Sequence, residues 1–422
     1  MKVVVAHPGK QHSYRSAVAL QNSGMLLKYL STTYQKRGSI TKLITDFLPE
    51  KAKKKAQSHH EKDLNDESVG IFCEGMSLLS LLLKRLGVNK RIIRSIEMWK
   101  IDRFGVKVAK YAVRNNADAV VMWDTTSVAC FEYLDKHAPN IIRILDCSTA
   151  NRLFLKSIYE EDMKRNAHNY FYKNVPFLWE DESQRMYARE IEMADYFIGA
   201  SEFVEKSYLY SQVEEDRIRK VPYGVDIDKY HYQERMPVQQ PLKLLFVGGV
   251  NEQKGIHYLL KAIGMFSDGD VELDLVGAYD KNSCIFETAS QMNNVTLSGF
   301  VTQDVIFEKY ANADVYVFAT LGEGMTMSGL EAMSTGLPMI CSDNAGYNDV
   351  IVNGVNGYIF KTGDVMDLAD KIKLVMKNKD SLKAMSKNAR KTAESYTWNI
   401  YYENYAKTVS DLIGKGSPWR VR

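Results

Sequence analysis

Short apolar-rich runs alternate along this chain with longer stretches of helical spacing. Val3 to Ala6 is the first and is unbroken, and Ala117 to Met122, Ile141 to Leu145, Leu242 to Val247, Val271 to Val276, Val295 to Val301 and Ala313 to Phe318 follow, each carrying one or two polar residues. Runs without polar alternation predict strands buried on both faces, and helical spacing between them predicts βα units around parallel sheets. After the first strand comes the loop His7 to Ser13, and a helix is expected over Ala17 to Leu30. The polar stretch His231 to Pro241 carries two prolines and separates two regions of regular pattern, so it predicts a domain boundary. The expectation is an α/β protein with domains at 1–232 and 233–397, closed by a helix from about Trp398 to Leu412 within a terminal segment 398–422.

Composition narrows the class. A chain of 422 residues exceeds a single core, and 45% hydrophobic with 25% charged residues is the balance of a soluble globular protein. A net charge of +3 is too small to imply a nucleic-acid partner. Cysteines at 73, 130, 147, 284 and 341 are scattered without a CxxC pair, as expected of reduced thiols in a cytoplasmic protein. MKVVVAHPGK reads as a first strand rather than a signal peptide, and no apolar run reaches the ~18 residues a membrane span needs. Two basic stretches stand out, Phe47 to Lys62 and Leu78 to Arg94; the second interleaves leucines and isoleucines with Lys84, Arg85, Lys90, Arg91 and Arg94. Such a stretch suits an anionic bilayer surface, though charge runs are more often a solvated helical face over an ordinary core.

The densest chemistry lies in Thr320 to Pro338, TLGEGMTMSGLEAMSTGLP. It reads as a Gly-broken loop, then a helix from about Ser328 stopped by Gly336-Leu337-Pro338. A loop that delivers a helix N-terminus makes an anion site, because first-turn N–H groups lack intrahelical partners and carry the positive end of the dipole. Glu323 and Glu331 stand eight positions apart, enough to reach opposite ends of one small ligand. Gly9-Lys10 is not a Walker A loop, since neither the earlier Gly nor the following Ser or Thr is present.

Glu323-Gly324-Met325, Leu330-Glu331-Ala332-Met333 and Gly336-Leu337-Pro338 together resemble the Glu, seven residues, Glu signature of the family 4 (group 1) retaining glycosyltransferases, which have the GT-B fold. The likeness extends over nearly the whole chain, tightly from Leu242 to Phe360. It implies two Rossmann-like domains facing across a cleft, the first for the acceptor and the second for the nucleotide sugar, with the last helix crossing back to the first domain. It implies metal-independent transfer from a UDP- or GDP-sugar, without a cofactor, to a glycan or lipid-linked acceptor. The setting it implies is bacterial surface polysaccharide or glycoconjugate synthesis, in the cytoplasm or peripherally on the inner membrane face.

By the same resemblance, Glu323 lies at the donor sugar and Glu331 at the ribose. Lys254, closing the loop Gly248 to Gly255, neutralises the diphosphate together with the helix start. Gly324, Met325, Thr326, Met327 and Ser328 line the donor, and Phe300 and Val301 lie at the nucleobase. Gly249 stands where the family often has an arginine, and Asn151 is the nearest equivalent of a histidine the family carries near the reacting sugar. The string HPGKQHS places Gly9, Lys10 and His12 at the cleft. Asp226-Ile227-Asp228 spells a DxD, which in another glycosyltransferase class holds manganese; here its YGVD context resembles a domain linker. No GxGxxG follows a strand, against a nicotinamide dehydrogenase. A GT-B nucleotide-sugar epimerase and a non-catalytic sugar-binding protein stay open as alternatives.

Overall fold

The structure is a computed structural model, and it describes residues 1–9, 12–46, 59–166, 172, 175–235, 240–378 and 380–418. Lys10 and most of the basic stretch after Phe47 therefore lie outside the described residues.

The buried runs pair as two parallel sheets. The first holds β1 (Val3–Ala6), β2 (Leu26–Ser31), β3 (Val69–Ile71), β4 (Ala119–Trp123), β5 (Ile142–Cys147), β6 (Tyr196–Gly199) and β7 (Ile218–Lys220), in the order β3-β2-β1-β4-β5-β6-β7. The second holds β8 (Leu242–Val247), β9 (Val271–Val276), β10 (Val295–Gly299), β11 (Val315–Phe318), β12 (Met339–Ser342) and β13 (Gly357–Phe360), in the order β10-β9-β8-β11-β12-β13. Every residue of β1, β4 and β5 is buried, which is why β1 and β4 read as solid apolar runs, while β5 also buries Arg143 and Asp146.

Strand order reverses between β1 and β4 and again between β8 and β11. At such a point the two following loops turn to opposite faces of the sheet and leave a crevice beyond the strand ends, where ligands settle in open α/β sheets. The loops after β8 and β11 are those that carry Lys254 and Glu323.

One helix departs from expectation. Ala17 to Leu30 is not continuous: the helix is Ser13–Asn22 and Leu26–Ser31 is β2, paired parallel to β1. Gly24 at φ +72° turns the chain between them, a conformation that ends a right-handed helix. The Leu78 to Arg94 stretch likewise divides, at Gly87 with φ +70°, into the helices Glu74–Arg85 and Lys90–Arg114.

The chain leaves the first domain at Val225, which bridges to Thr397 where it returns. Gly224 is obligatory there, because a Cβ would stand 2.5 Å from the Trp398 backbone nitrogen. The helix Trp398–Lys415 then lies along Ser13–Asn22 of the first domain. Tyr401 Oη pairs with Ser16 Oγ at 2.9 Å, and Tyr405 Oη donates to the buried Asp146 at 2.8 Å.

Candidate active site

The helix expected from about Ser328 runs Met327–Ser334. Thr326 is its extended N-cap but makes no side-chain cap, pairing instead with Ser328 Oγ at 2.9 Å. Ser328 Oγ also meets Tyr316 Oη at 2.7 Å and donates to the Val247 carbonyl at 3.1 Å. These hydroxyls fasten the helix start to the ends of β8 and β11 without using its first-turn amides, the groups that favour an anion. Gly329 lets Tyr347 close in, since a Cβ there would lie 2.5 Å from Tyr347 Oη, and that hydroxyl donates to the Thr326 carbonyl.

The loop after β8 reaches the same place. Asn251 caps a short 3₁₀ turn, Glu252–Lys254, by accepting from Lys254 N at 3.1 Å. Gly255 follows at φ +65°, where a Cβ would meet the Ala319 carbonyl oxygen at 1.8 Å, so only glycine brings this loop against β11. The Lys254 ammonium consequently forms an ion pair with Glu323 and sits 5.7 Å from the Phe318 ring centre. Both side chains stay reachable, at 19% and 18% exposure. One turn into the helix, Glu331 accepts from Tyr310 Oη at 3.1 Å. Burial, then the Glu331 charge, pushes the Tyr310 phenol well above its ordinary range, so it stays a donor.

Of the expected donor residues, Glu323 to Ser328 lead into this helix start and Lys254 pairs with Glu323 beside it, while Gly249, Phe300 and Val301 lie on other loops. Gly324 and Met325 are buried, Thr326 and Ser328 half-buried, and Met327 is exposed. Gly249 leaves room for the Asn251 amide, 3.2 Å from where its Cβ would be. At the far end of β10, Phe300 is 88% exposed and Val301 half-buried.

On the first-domain side the expected roles change. His12 is not open at the cleft: its side chain is 8% exposed, its Nε2 accepts from Trp123 Nε1 at 3.0 Å, and it lies 3.2 Å from Asp146 and 3.3 Å from Tyr223 Oη. A loop position looked exposed from sequence, yet Trp123 and Tyr223 wall it in. Gly9 folds back on His7, its N–H donating to His7 Nδ1 at 3.0 Å. Asn151 is 4% exposed and caps the helix Arg152–Arg165, its Oδ1 accepting from Leu153 N at 2.8 Å. Its carbonyl oxygen therefore has a structural duty that sequence reading did not anticipate. Asp226 accepts from Lys229 N at 3.2 Å in a turn, and among the described residues no group of three or more His, Cys, Asp or Glu is placed to hold a metal ion.

Sequence reading missed Asp124, Glu190 and Tyr159. Asp124 follows β4 directly, at the switch point of the first sheet, a placement that could have flagged it. Its Oδ1 accepts from Ser148 N at 3.1 Å and Ser148 Oγ at 2.6 Å. Glu190 is buried, accepts from Thr125 N, Ser127 N and Ser127 Oγ, and is pushed up to about 7 by burial. Tyr159 is buried on the first domain, and burial followed by the Glu323 charge raises its phenol far above the ordinary range. A first-domain side chain thus feels the second domain's carboxylate.

The Glu323 loop is gripped by both domains. Ser201 Oγ donates to the Gly324 carbonyl, and a Cβ on Gly324 would lie 2.9 Å from the Ser148 carbonyl oxygen. Nearby, buried Asp162 of the first domain accepts from Tyr258 Oη at 2.5 Å and lies 3.3 Å from His257 Nε2, both on the helix Ile256–Ile263 that follows the Lys254 loop.

Residues 229–392 match the family described as "Glycosyl transferases group 1". The capsular polysaccharide biosynthesis glycosyltransferase CapM of Staphylococcus aureus is 29% identical over 185 residues, 41% of this chain and 48% of that protein. The chain thus spans about half the length of that curated relative. The N,N'-diacetylbacillosaminyl-diphospho-undecaprenol alpha-1,3-N-acetylgalactosaminyltransferase of Campylobacter jejuni is 23% identical over 406 residues, 92% of this chain and 98% of that protein. Among solved structures, Anabaena HepE in complex with UDP-glucose superposes with a TM-score of 0.62 at 14% identity, covering 97% of this chain and all of that one. At that identity the likeness is one of fold, and the fold is two Rossmann-like domains in the GT-B arrangement.

Proposed function

We propose that the chain, whose residues 229–392 match the group 1 glycosyl transferases within a GT-B fold, transfers a sugar, with retention, from a nucleotide diphosphate sugar to a glycan or lipid-linked acceptor. The observation that carries this is the pairing of Lys254 with Glu323 beside a helix start whose N-cap side chain is turned elsewhere. A cation and open amides suit a diphosphate, and a carboxylate at their edge suits sugar hydroxyls.

In this reading the Met327 helix start and Lys254 hold the diphosphate and stabilise the charge that grows as it leaves. Such preorganised donors, which need no rearrangement at the moment of reaction, are commonly the largest catalytic term. Glu323 positions the donor sugar's hydroxyls and favours the positive character developing at the anomeric carbon. Glu331, its Oε2 oriented by Tyr310, grips the ribose. The acceptor hydroxyl attacks from the face the diphosphate leaves, which preserves configuration without a covalent nucleophile. The two-domain grip on the Glu323 loop excludes water and so favours transfer over hydrolysis.

The relatives named for capsular polysaccharide and for a diphospho-undecaprenol acceptor support a surface-glycan setting and a lipid-linked acceptor. A docking face for the membrane is available. Helix Ile40–Asp46 abuts Glu74–Arg85 through Thr41 and Glu74, and Glu74–Arg85 abuts Lys90–Arg114 through Ser80 and Glu97. Leu43, Leu81, Leu82, Leu86, Ile92 and Trp99 are each more than half exposed on these helices. Arg85 and Arg91 border them, and Arg103 stacks 4.9 Å over Trp99. Apolar side chains ringed by arginines fit an anionic bilayer surface. No described helix is long and apolar enough to cross a membrane.

A thermal-shift screen of UDP- and GDP-sugars tests the donor reading, because a ligand at ~100 times its dissociation constant adds ~2.7 kcal/mol of stability. A panel with no stabilising member overturns it.

A further inference from the structure

The loop Gly248 to Gly255 carries no basic residue besides Lys254. Among the described residues, the Lys254 ammonium and the Glu323 carboxylate make no hydrogen bond or ion pair except the one that joins them. The backbone beneath the pair is fixed. The Gln253 carbonyl accepts from Leu321 N at 3.0 Å and from Thr320 Oγ1 at 3.1 Å, which ties the two loops together just ahead of the paired residues. Lys254 N donates to the Asn251 carbonyl at 3.2 Å, and Glu323 N to the Asn344 carbonyl at 3.0 Å. The pair therefore opens by rotation of two side chains and not by parting of the loops.

A nucleoside diphosphate at the helix start has to take Lys254 from Glu323, because the loop offers its phosphates no second cation. The displaced carboxylate then stands beside phosphate oxygens without a donor of its own, and a half-buried charge left unpartnered is costly. The surroundings are dry on the first-domain side, where Tyr159 is buried and its phenol is raised by burial and then by the Glu323 charge. A sugar on the diphosphate removes this penalty, since its hydroxyls are donors for the displaced carboxylate.

We propose that Glu323 is the residue by which the site tells an intact nucleotide sugar from the bare nucleoside diphosphate: it pairs with Lys254 unless sugar hydroxyls draw it away, and returns to Lys254 once the sugar has gone. The inference rests on the glycosyltransferase reading and adds to it a selection against the spent product. In the transfer the bond from the anomeric carbon to the diphosphate oxygen breaks, leaving its electron pair on that oxygen. The acceptor oxygen bonds to the carbon and passes its proton to the same diphosphate oxygen. A terminal phosphate gives up that proton to water above about pH 6, so the product at neutral pH is more negative than the donor's diphosphate. Glu323 thus repels the product more than the substrate while competing with it for Lys254.

The test titrates UDP and GDP calorimetrically into the full-length protein, into Glu323→Gln, Glu323→Ala and Lys254→Met, and into the double variant Lys254→Met/Glu323→Gln. The nucleotide sugar that ranks first in the thermal-shift panel is titrated alongside. Affinity for the bare diphosphate is expected to rise about fivefold in Glu323→Gln and in Glu323→Ala, the factor that corresponds to an ion pair at the upper end of the range for exposed pairs. The nucleotide sugar is expected to bind both variants no more tightly than wild type, and the gain for the diphosphate is expected to vanish on the Lys254→Met background. A residue that only shapes the loop would lower both affinities together. Melting curves establish that each variant is folded, and either of the two Glu323 variants suffices. Unchanged or weaker diphosphate binding, a gain that survives Lys254→Met, or an equal gain for the nucleotide sugar overturns the proposal. Should the wild type bind neither UDP, GDP nor any nucleotide sugar of the panel, it is the glycosyltransferase reading that fails.

Discussion

Ser201 of the first domain donates its hydroxyl to the carbonyl of Gly324 in the second, fixing the loop that presents Glu323. The same hydroxyl accepts from Val204 N at 3.4 Å as the N-cap of the helix Glu202–Tyr210. One side chain thus begins a first-domain helix and anchors a second-domain loop, so the position of Glu323 depends on how the domains sit together. Lys254 meets Glu323 from within the second domain, which leaves phosphate binding less dependent on closure than sugar positioning.

Lys254→Met is expected to weaken binding of a nucleoside diphosphate by roughly 10- to 100-fold, because a charge-assisted bond contributes about 1.5–3 kcal/mol. Folding stability should change by less than about 1 kcal/mol, since the partly solvated pair is worth little in the unliganded protein. Calorimetry and urea unfolding measure the two effects, and unchanged affinity removes Lys254 from the phosphate site.

Gly329→Ala places a methyl 2.5 Å from Tyr347 Oη in a buried helix start, and overpacking of this kind costs about 1–3 kcal/mol. Gly414→Ala in the last helix, where nothing lies within 4 Å, is expected to be neutral or stabilising by up to about 1 kcal/mol. A drop in Tm for the first and none for the second is the expected pair of melts. Equal melts refute the packing argument.

His7 and Glu190 act on stability with opposite signs. Burial holds the His7 imidazole down to about 4, so the unfolded chain takes up a proton near 6.5 that the folded chain refuses, and stability rises with pH between those values. Burial pushes Glu190 up to about 7, so its contribution is complete below 4.5 and is lost as pH climbs to 7. Each shift amounts to about 3 kcal/mol, and the two nearly cancel between 4.5 and 6.5. Relative to wild type, His7→Gln should therefore gain about 3 kcal/mol as pH falls from 6.5 to 4, seen as converging urea midpoints. A pH-independent difference shows that His7 does not titrate with folding.

Vesicle co-sedimentation checks the basic apolar face. Binding to anionic vesicles, little to zwitterionic ones, and release by salt within the range where the Debye length falls below ~10 Å are expected. Leu81→Ser with Leu82→Ser should reduce the bound fraction several-fold, each exposed leucine contributing on the order of 1 kcal/mol. Indifference to lipid charge would assign these residues to some other surface.

The second domain was the more legible half. Its strands β8 to β11 lie on the stretches predicted as strands, and Lys254 and Glu323 are next to Gly255 and Gly324, whose positions are dictated by backbone contact. The first domain was harder because its key side chains depend on distant partners. His12 looked like a loop residue until Trp123 and Tyr223 were packed on it, and Asn151 looked chemical until its cap was seen. Ala17 to Leu30 holds apolar residues at both helical and strand spacing, and Gly24 decided between them.

The chain crosses between domains twice, and at Val225 and Thr397 the two crossings lie side by side. Gly224 lets them touch so closely that neither has room to slide past the other. Two crossings joined at one bridge in this way tie the halves along a single line, and shear along it is opposed by the backbone itself.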